Sequence, residues 1–161
     1  MRKIIIGIMG PGNGATTADK ECAYELARAI AQQGWVLLTG GRNQGVMEAA
    51  NQGAKAAHGL TLGILPTADD TSISDAVDLA IFTQMGNARN NINVLSSAVV
   101  VACGMGMGTA SEVALALKNG KPVILLNHSE TGIQFFQSLS PQQVYCAHDA
   151  DGAIKIIQSL L

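Results

Sequence analysis

The sequence predicts an α/β fold built on a mainly parallel sheet, doubly wound so that helices cover both faces. Three observations predict it. Apolar runs of strand length alternate along the chain with segments whose apolar residues recur at helical spacing, the pattern of parallel strands joined by helical crossovers. Glycine-rich stretches follow several of those runs, at the strand ends where an open parallel sheet binds ligands. The run at residues 99–102 is apolar and β-branched without a break, as a central strand buried on both faces must be. Together they describe a Rossmann-like arrangement. With no linker, repeat or low-complexity tract, residues 1–161 read as a single ligand-binding domain.

The first strand is expected at residues 4–9. It runs into Gly10, Pro11, Gly12, Asn13 and Gly14, then a helix with the apolar stripe Ala23, Leu26, Ala27, Ile30 and Ala31, a face suited to packing on a sheet. Gly34 closes that helix, and residues 35–38 form a second strand. The loop Thr39, Gly40, Gly41, Arg42, Asn43, Gln44, Gly45 leads into a helix of small residues over 46–57. A third strand at 60–65 is ended by Pro66, and 67–76 reads as an irregular surface loop. A short strand follows at 79–82, then a short polar helix at 89–95. After the strand at 99–102 come Gly104, Met105, Gly106, Met107 and Gly108, a helix over 109–118 and a parallel strand at 123–126. The tail supplies a helix around 133–137, a short segment at 143–145, and a last helix carrying Ala153, Ile156, Ile157 and Leu160.

Composition narrows the function classes. A net charge of −2, a pI near 5.8 and no basic cluster argue against nucleic-acid binding. No apolar run is long enough to cross a bilayer. Met1, Arg2 and Lys3 before an apolar stretch resemble a signal peptide, but the stretch is short and enters a glycine loop, so a first strand is the better reading. Cys22, Cys103 and Cys146 are widely spaced and odd in number, which reads as reduced thiols of a cytoplasmic protein. A charged fraction of only 14% with positive mean hydropathy predicts that another subunit covers part of the surface. The helix over 109–118, apolar on nearly every side, is the expected interface.

The chemistry is expected at three glycine loops: 10–14, 40–45 and 104–108. Two of them open directly onto a helix start, where free N–H groups and the helix dipole attract an anion. One such loop is an ordinary turn; three converging on one sheet edge point to a phosphate pocket. Arg42 reads as a phosphate clamp in that company, against a solvated loop arginine without it. Thr109 and Glu112 have the spacing of a capping box, which accounts for both without chemistry. The other reading has Thr109 donating to a phosphate while Glu112 accepts from the ligand or acts as a base. Arg89, at the start of a helix, is badly placed for the dipole and predicts a partner carboxylate or an anion, with Glu112 a candidate. His58, His128 and His148 do not cluster, and no metal site is expected. Asp69, Asp70, Asp75 and Asp78 read as a solvated loop.

These residues carry a family resemblance. Leu38, Thr39, Gly40 and Gly41, the stretch from Gly45, Val46 and Met47 to Ala50, then Gly63 to Pro66, and the later Gly108, Thr109 and Glu112 resemble the LOG-like, or lysine decarboxylase-like, superfamily. Within it the chain is most similar to the molybdenum cofactor carrier proteins, through "GWVLLTGGRNQGVMEAA", "SISDAVD", "ARNNINVLSS" and "GMGMGTASEVALALKNGKPVILL". Cytokinin-activating members have Pro-Gly-Gly-x-Gly-Thr where this chain has Gly104 to Thr109. The resemblance implies a homo-oligomer, a dimer of dimers, that binds, protects and transfers the molybdenum cofactor. Molybdoenzymes or cofactor-biosynthesis proteins would be its partners. The binding residues it implies are Gly10, Gly12, Gly40, Gly41, Arg42, Gly45, Val46, Met47, Pro66, Arg89, Gly104, Gly106, Gly108, Thr109 and Glu112. The carrier reading needs no catalytic residue. The rival reading is a nucleoside 5′-monophosphate phosphoribohydrolase, which would use Arg89 and Glu112.

Overall fold

The computed structural model describes residues 2–161. Strand β1 (Ile5–Met9) lies in the middle of a seven-stranded sheet. From it the chain winds outward through β2 (Val36–Thr39), β3 (Thr61–Leu65) and β4 (Leu79–Phe82). It then returns to the other side of β1 with β5 (Val99–Cys103), β6 (Val123–Leu126) and β7 (Val144–Ala147). The order is β4-β3-β2-β1-β5-β6-β7, and every pairing is parallel. Strand order therefore reverses between β1 and β5, the place where such a sheet opens a crevice beyond its carboxyl ends.

Helices cover both faces. Helices α1 (Thr17–Gln32), α2 (Gly45–Ala56) and α6 (Ala150–Leu160) share one apolar cluster; α3 (Asn90–Ser96), α4 (Met107–Lys118) and α5 (Glu130–Leu139) share the other. Strand β5 shows why its sequence is uninterruptedly apolar. Val99, Val101 and Cys103 feed the first cluster while Val100 and Ala102 feed the second, as the alternation of side chains along a strand requires. Each fully buried Val, Leu or Ile contributes about 1.5–3 kcal/mol, so the strands that carry the glycine loops are firmly anchored.

Several boundaries differ from expectation. The segment at 143–145 is the start of edge strand β7. The polar helix at 89–95 is two elements: a 3-10 turn over Gly86–Arg89, then α3. Arg89 thus sits within a continuous turn of chain and is buried, not displayed at an open helix start. Helix α4 begins at Met107, because Gly106 in extended backbone is its N-cap. Thr109 is then inside the first turn, and the capping box with Glu112 does not form. Nor is α4 buried all round in a single chain. Val113, Ala116 and Leu117 face the core, while Met107, Ser111, Ala114 and Lys118 form an exposed strip. Asp78 is an exposed loop carboxylate, as expected, but one with a structural role: it accepts from Thr61 N at 2.9 Å, Thr61 Oγ1 at 3.0 Å and Lys55 Nζ at 2.6 Å, tying β3 and α2 to the start of β4.

Candidate functional site

The loops after β2, β1 and β5 leave three adjacent strands on the same edge, and a cavity of about 470 Å³ opens between them. Two contacts bring the first two loops together. The Val46 N–H donates to the Pro11 carbonyl at 3.0 Å. Gly45, with φ of +53°, lies so close to Pro11 and Gly12 that a β-carbon there would collide with their carbonyl oxygens. Beneath the second loop, buried Thr39 donates to Asn51 Oδ1 at 3.0 Å and accepts from the Gly41 N–H at 3.0 Å. That polar pin holds the turn from which Gly40 and Arg42 reach the cavity.

The helix starts differ in what they offer. Helix α1 is closed by its own capping box: Thr16 Oγ1 accepts from the Asp19 N–H, and the Asp19 carboxylate accepts from the Thr16 N–H. Helix α2 has no side-chain cap. In α4 the first intrahelical bond runs from the Ala110 N–H to the Gly106 carbonyl, and no side chain caps the turn. The N–H groups of Met107, Gly108 and Thr109 are therefore left over at the cavity, as an anion site requires. The Thr109 hydroxyl beside them is buried and has no hydrogen-bond partner.

The cavity contains two arginines and one acid. Arg42 and Arg89 each carry a buried Nε without an acceptor. No ion pair joins either to Glu112 among the described residues. Gly40 lets Arg89 approach: a β-carbon there would lie 2.6 Å from Arg89 Nη1 and 2.7 Å from Met47 Sδ. Burial lowers the Arg89 pKa, nearby Glu112 opposes the shift, and Arg42 adds to it; a guanidinium stays charged regardless. Burial pushes Glu112 up to about 7, against the lowering effects of its hydrogen bond from Asn93 and the charge of Arg89. At neutral pH the acid is thus poised between its two forms.

Of the residues singled out from sequence, Gly10, Gly12, Gly40, Arg42, Met47, Arg89, Gly106, Gly108, Thr109 and Glu112 line the cavity. Gly41, Gly45, Val46, Pro66 and Gly104 do not. Gly41 packs on Leu65, Val46 fills the space under Gly10, and Gly104 backs onto Asp19, so they shape the loops from behind. Asn13, Gln44 and Met105, from the three expected loops, also line the cavity without having been singled out, and Asn87 and Asn90, outside those loops, were missed. Nothing periodic marks Asn87; only the "ARNN" stretch hinted at Asn90. Buried Asn93, which donates to Glu112, was missed as well. Outside the cavity, His128 Nε2 lies 2.9 Å from the Ala102 carbonyl oxygen. Among the described residues no cluster of three metal-ligating side chains is present. Burial raises the thiol pKa of Cys22, Cys103 and Cys146, which keeps them protonated and poorly nucleophilic. Among the described residues no helix is long and apolar enough to cross a membrane.

Residues 3–154 match the profile of the SLOG cluster4 family. The chain belongs to that family. Its similarity to solved structures spans nearly the whole length. A molybdenum cofactor binding protein from the phototrophic bacterium Rippkaea orientalis is 61% identical, with 99% of this chain and 98% of that one covered at a TM-score of 0.98. The Moco carrier protein of Chlamydomonas reinhardtii is 53% identical, with 99% and 98% covered at a TM-score of 0.94. A cytokinin riboside 5′-monophosphate phosphoribohydrolase of Mycobacterium tuberculosis is 30% identical over 116 residues, 66% of this chain and 62% of that protein. The sequence resemblance to the LOG-like superfamily and to its cofactor carriers is thus met at full length.

Proposed function

We propose that this chain, acting as one ligand-binding domain, binds the molybdenum cofactor in the cavity beyond β2, β1 and β5, shields it, and passes it to acceptor proteins. That ligand is a flat pyranopterin with a terminal phosphate and a dithiolene that holds molybdenum. The observation that carries the reading is a set of unmet donors on residues that line one space. The first turn of α4 is uncapped at the cavity, and Thr109, Arg42 and Arg89, which line it, each hold a buried hydroxyl or Nε without a protein partner. Unpaired buried donors each cost about 1–3 kcal/mol, so their concentration at one cavity fits a site kept for a ligand. The terminal phosphate fits the α4 turn with Thr109, and the arginines suit the remaining anionic oxygens. The names and near-complete coverage of the Rippkaea and Chlamydomonas proteins support the same ligand class. Protection needs only an enclosing, hydrogen-bonding pocket.

The reading includes a homo-oligomer, ultimately a dimer of dimers. Its support is the set of apolar side chains a single chain leaves open: Leu79, Ile81 and Phe82 on edge strand β4, Leu95 on α3, and Met107 and Ala114 on α4.

A hydrolase reading has one observation in its favour. Arg89 and Glu112 share the cavity, and an acid with a pKa near 7 suits proton transfer to a leaving base. A single experiment separates the two. The protein is incubated anaerobically with molybdenum cofactor and, in parallel, with AMP and a cytokinin monophosphate. Retained cofactor that reconstitutes a cofactor-free molybdoenzyme, without base release, is the expected result. Base release that vanishes in Glu112→Gln, with no cofactor retained, overturns it.

A further inference from the structure

The one acid of the cavity has two oxygens in different situations. Oε1 of Glu112 accepts a hydrogen bond from Asn93 Nδ2 at 2.9 Å. Oε2 has no protein donor and is not among the occluded polar atoms, so it opens on the cavity. Asn93 is fully buried and does not itself line that cavity. Its helix is tied to α4 independently: Asn90 Nδ2 donates to Ser111 Oγ at 2.9 Å, and Val94 packs in one cluster with Val113 and Ala116. The Asn93 amide is therefore held against Glu112 by the packing of α3 on α4, without help from a ligand.

We propose that Asn93 is a positioning residue for ligand recognition: by occupying Oε1 of Glu112 it dedicates Oε2, and any proton the acid carries, to the ligand. The reason is the chemistry of a carboxylic acid. Its carbonyl oxygen accepts well and its hydroxyl oxygen poorly, so an amide N–H on Oε1 keeps that oxygen a carbonyl and sends the proton to Oε2. Ionised, Glu112 then presents a lone pair to a ring N–H; neutral, it presents an O–H to a ring nitrogen or carbonyl. A heterocycle whose edge alternates such donors and acceptors, as pterins and purines do, is the ligand class this arrangement reads. The charged groups that face Glu112 are Arg89, from the turn before α3, and Arg42 beyond it on the β2–α2 loop; Thr109 on its own helix is neutral. No other charged side chain lines the cavity among the described residues. The inference rests on the proposed ligand only for what meets Oε2; the action of Asn93 on Glu112 stands without it.

Asn93→Leu keeps the branched shape, in a larger volume, and removes the donor. In ligand-free protein labelled with carbon-13 at the glutamate carboxyls, the Glu112 signal is assigned by its loss in Glu112→Gln and followed against pH. Removing a donor that favours the ionised form should leave Glu112 holding its proton about tenfold more tightly or more, one pH unit upward. An unchanged midpoint overturns the proposal. A midpoint displaced to lower pH also overturns it, because the amide would then be turned over and accepting the proton from Oε1. Should the variant not fold, the wild type decides: the Asn93 side-chain amide resonances must shift with the same midpoint as Glu112. In the second arm, retention of molybdenum cofactor is measured from pH 6 to 9, and its pH dependence must move with the Glu112 midpoint. A profile identical in wild type and variant, while the resonance moves, refutes the role of Oε2. Failure of the wild type to retain cofactor refutes the carrier reading alone, since the carbon signal still decides for Asn93.

Discussion

Glu112→Gln should stabilise the ligand-free protein, and increasingly so as pH rises. Burial lifts the folded-state pKa of Glu112 from the ordinary 4.5 to about 7. Between those values the folded protein keeps a proton that the unfolded chain has released. Stability therefore falls as pH rises through that window and levels off above it. At about 1.4 kcal/mol per pH unit, the loss reaches on the order of 3 kcal/mol by pH 8. The glutamine variant has no proton to lose, and its amide oxygen still accepts from Asn93. At roughly 2–4 °C per kcal/mol for a chain of this size, the variant should gain about 6–12 °C in Tm on the wild type between pH 5 and pH 8.5. Thermal or urea unfolding of both proteins at half-unit pH steps measures it. Every other titrating group is common to the two, so the difference curve isolates Glu112. A difference flat with pH would mean that Glu112 is ordinarily ionised in the fold, and one that shrinks toward alkaline pH would reverse the argument. The confirming result identifies a cost in stability retained at the site where ligand recognition is proposed.

Three further predictions test the cavity and the exposed surface. Gly40→Ala places a methyl group 2.6 Å from Arg89 Nη1 and 2.7 Å from Met47 Sδ; both are ends of flexible side chains, so stability should change by less than about 1 kcal/mol. Cofactor retention should nevertheless fall tenfold or more as a charge-assisted bond is lost, and an unaltered affinity would remove Arg89 from the binding set. Thr109→Val replaces a buried hydroxyl that has no partner. It should leave the melting temperature equal or raised while weakening retention about tenfold; a lower melting temperature would reveal a structural partner for the hydroxyl. Ile81→Asp puts a charge into the exposed apolar edge of β4. Light scattering should show the oligomer shifting to monomer, and an unchanged mass would move the interface elsewhere.

Fold and cavity were legible in the sequence to different depths, for a physical reason. Strand and helix periodicity and the glycine loops with Arg42 are local signals: a buried strand must be apolar on both faces, and a loop that approaches an anion must lack side chains. These determined an α/β parallel sheet with its loops at the carboxyl edge. Where a local rule had two solutions, the sequence did not choose correctly. Thr109 and Glu112 have capping-box spacing, yet Gly106 starts α4 earlier and leaves the buried Thr109 hydroxyl unpaired, on a residue that lines the cavity. Gly41, Val46 and Gly104 belong to the right loops but face away, because which side of a loop meets solvent is set by the strands and helices behind it. The bond from Asn93 to Glu112 joins residues 19 positions apart on different helices, so only the packing of α3 on α4 creates it. That same packing withdraws Glu112 from water and gives an ordinary glutamate a pKa near neutrality. The sequence alone determined which residue types surround the cavity, while the tertiary structure decided which of their atoms are left without partners, since that depends on contacts between segments distant along the chain.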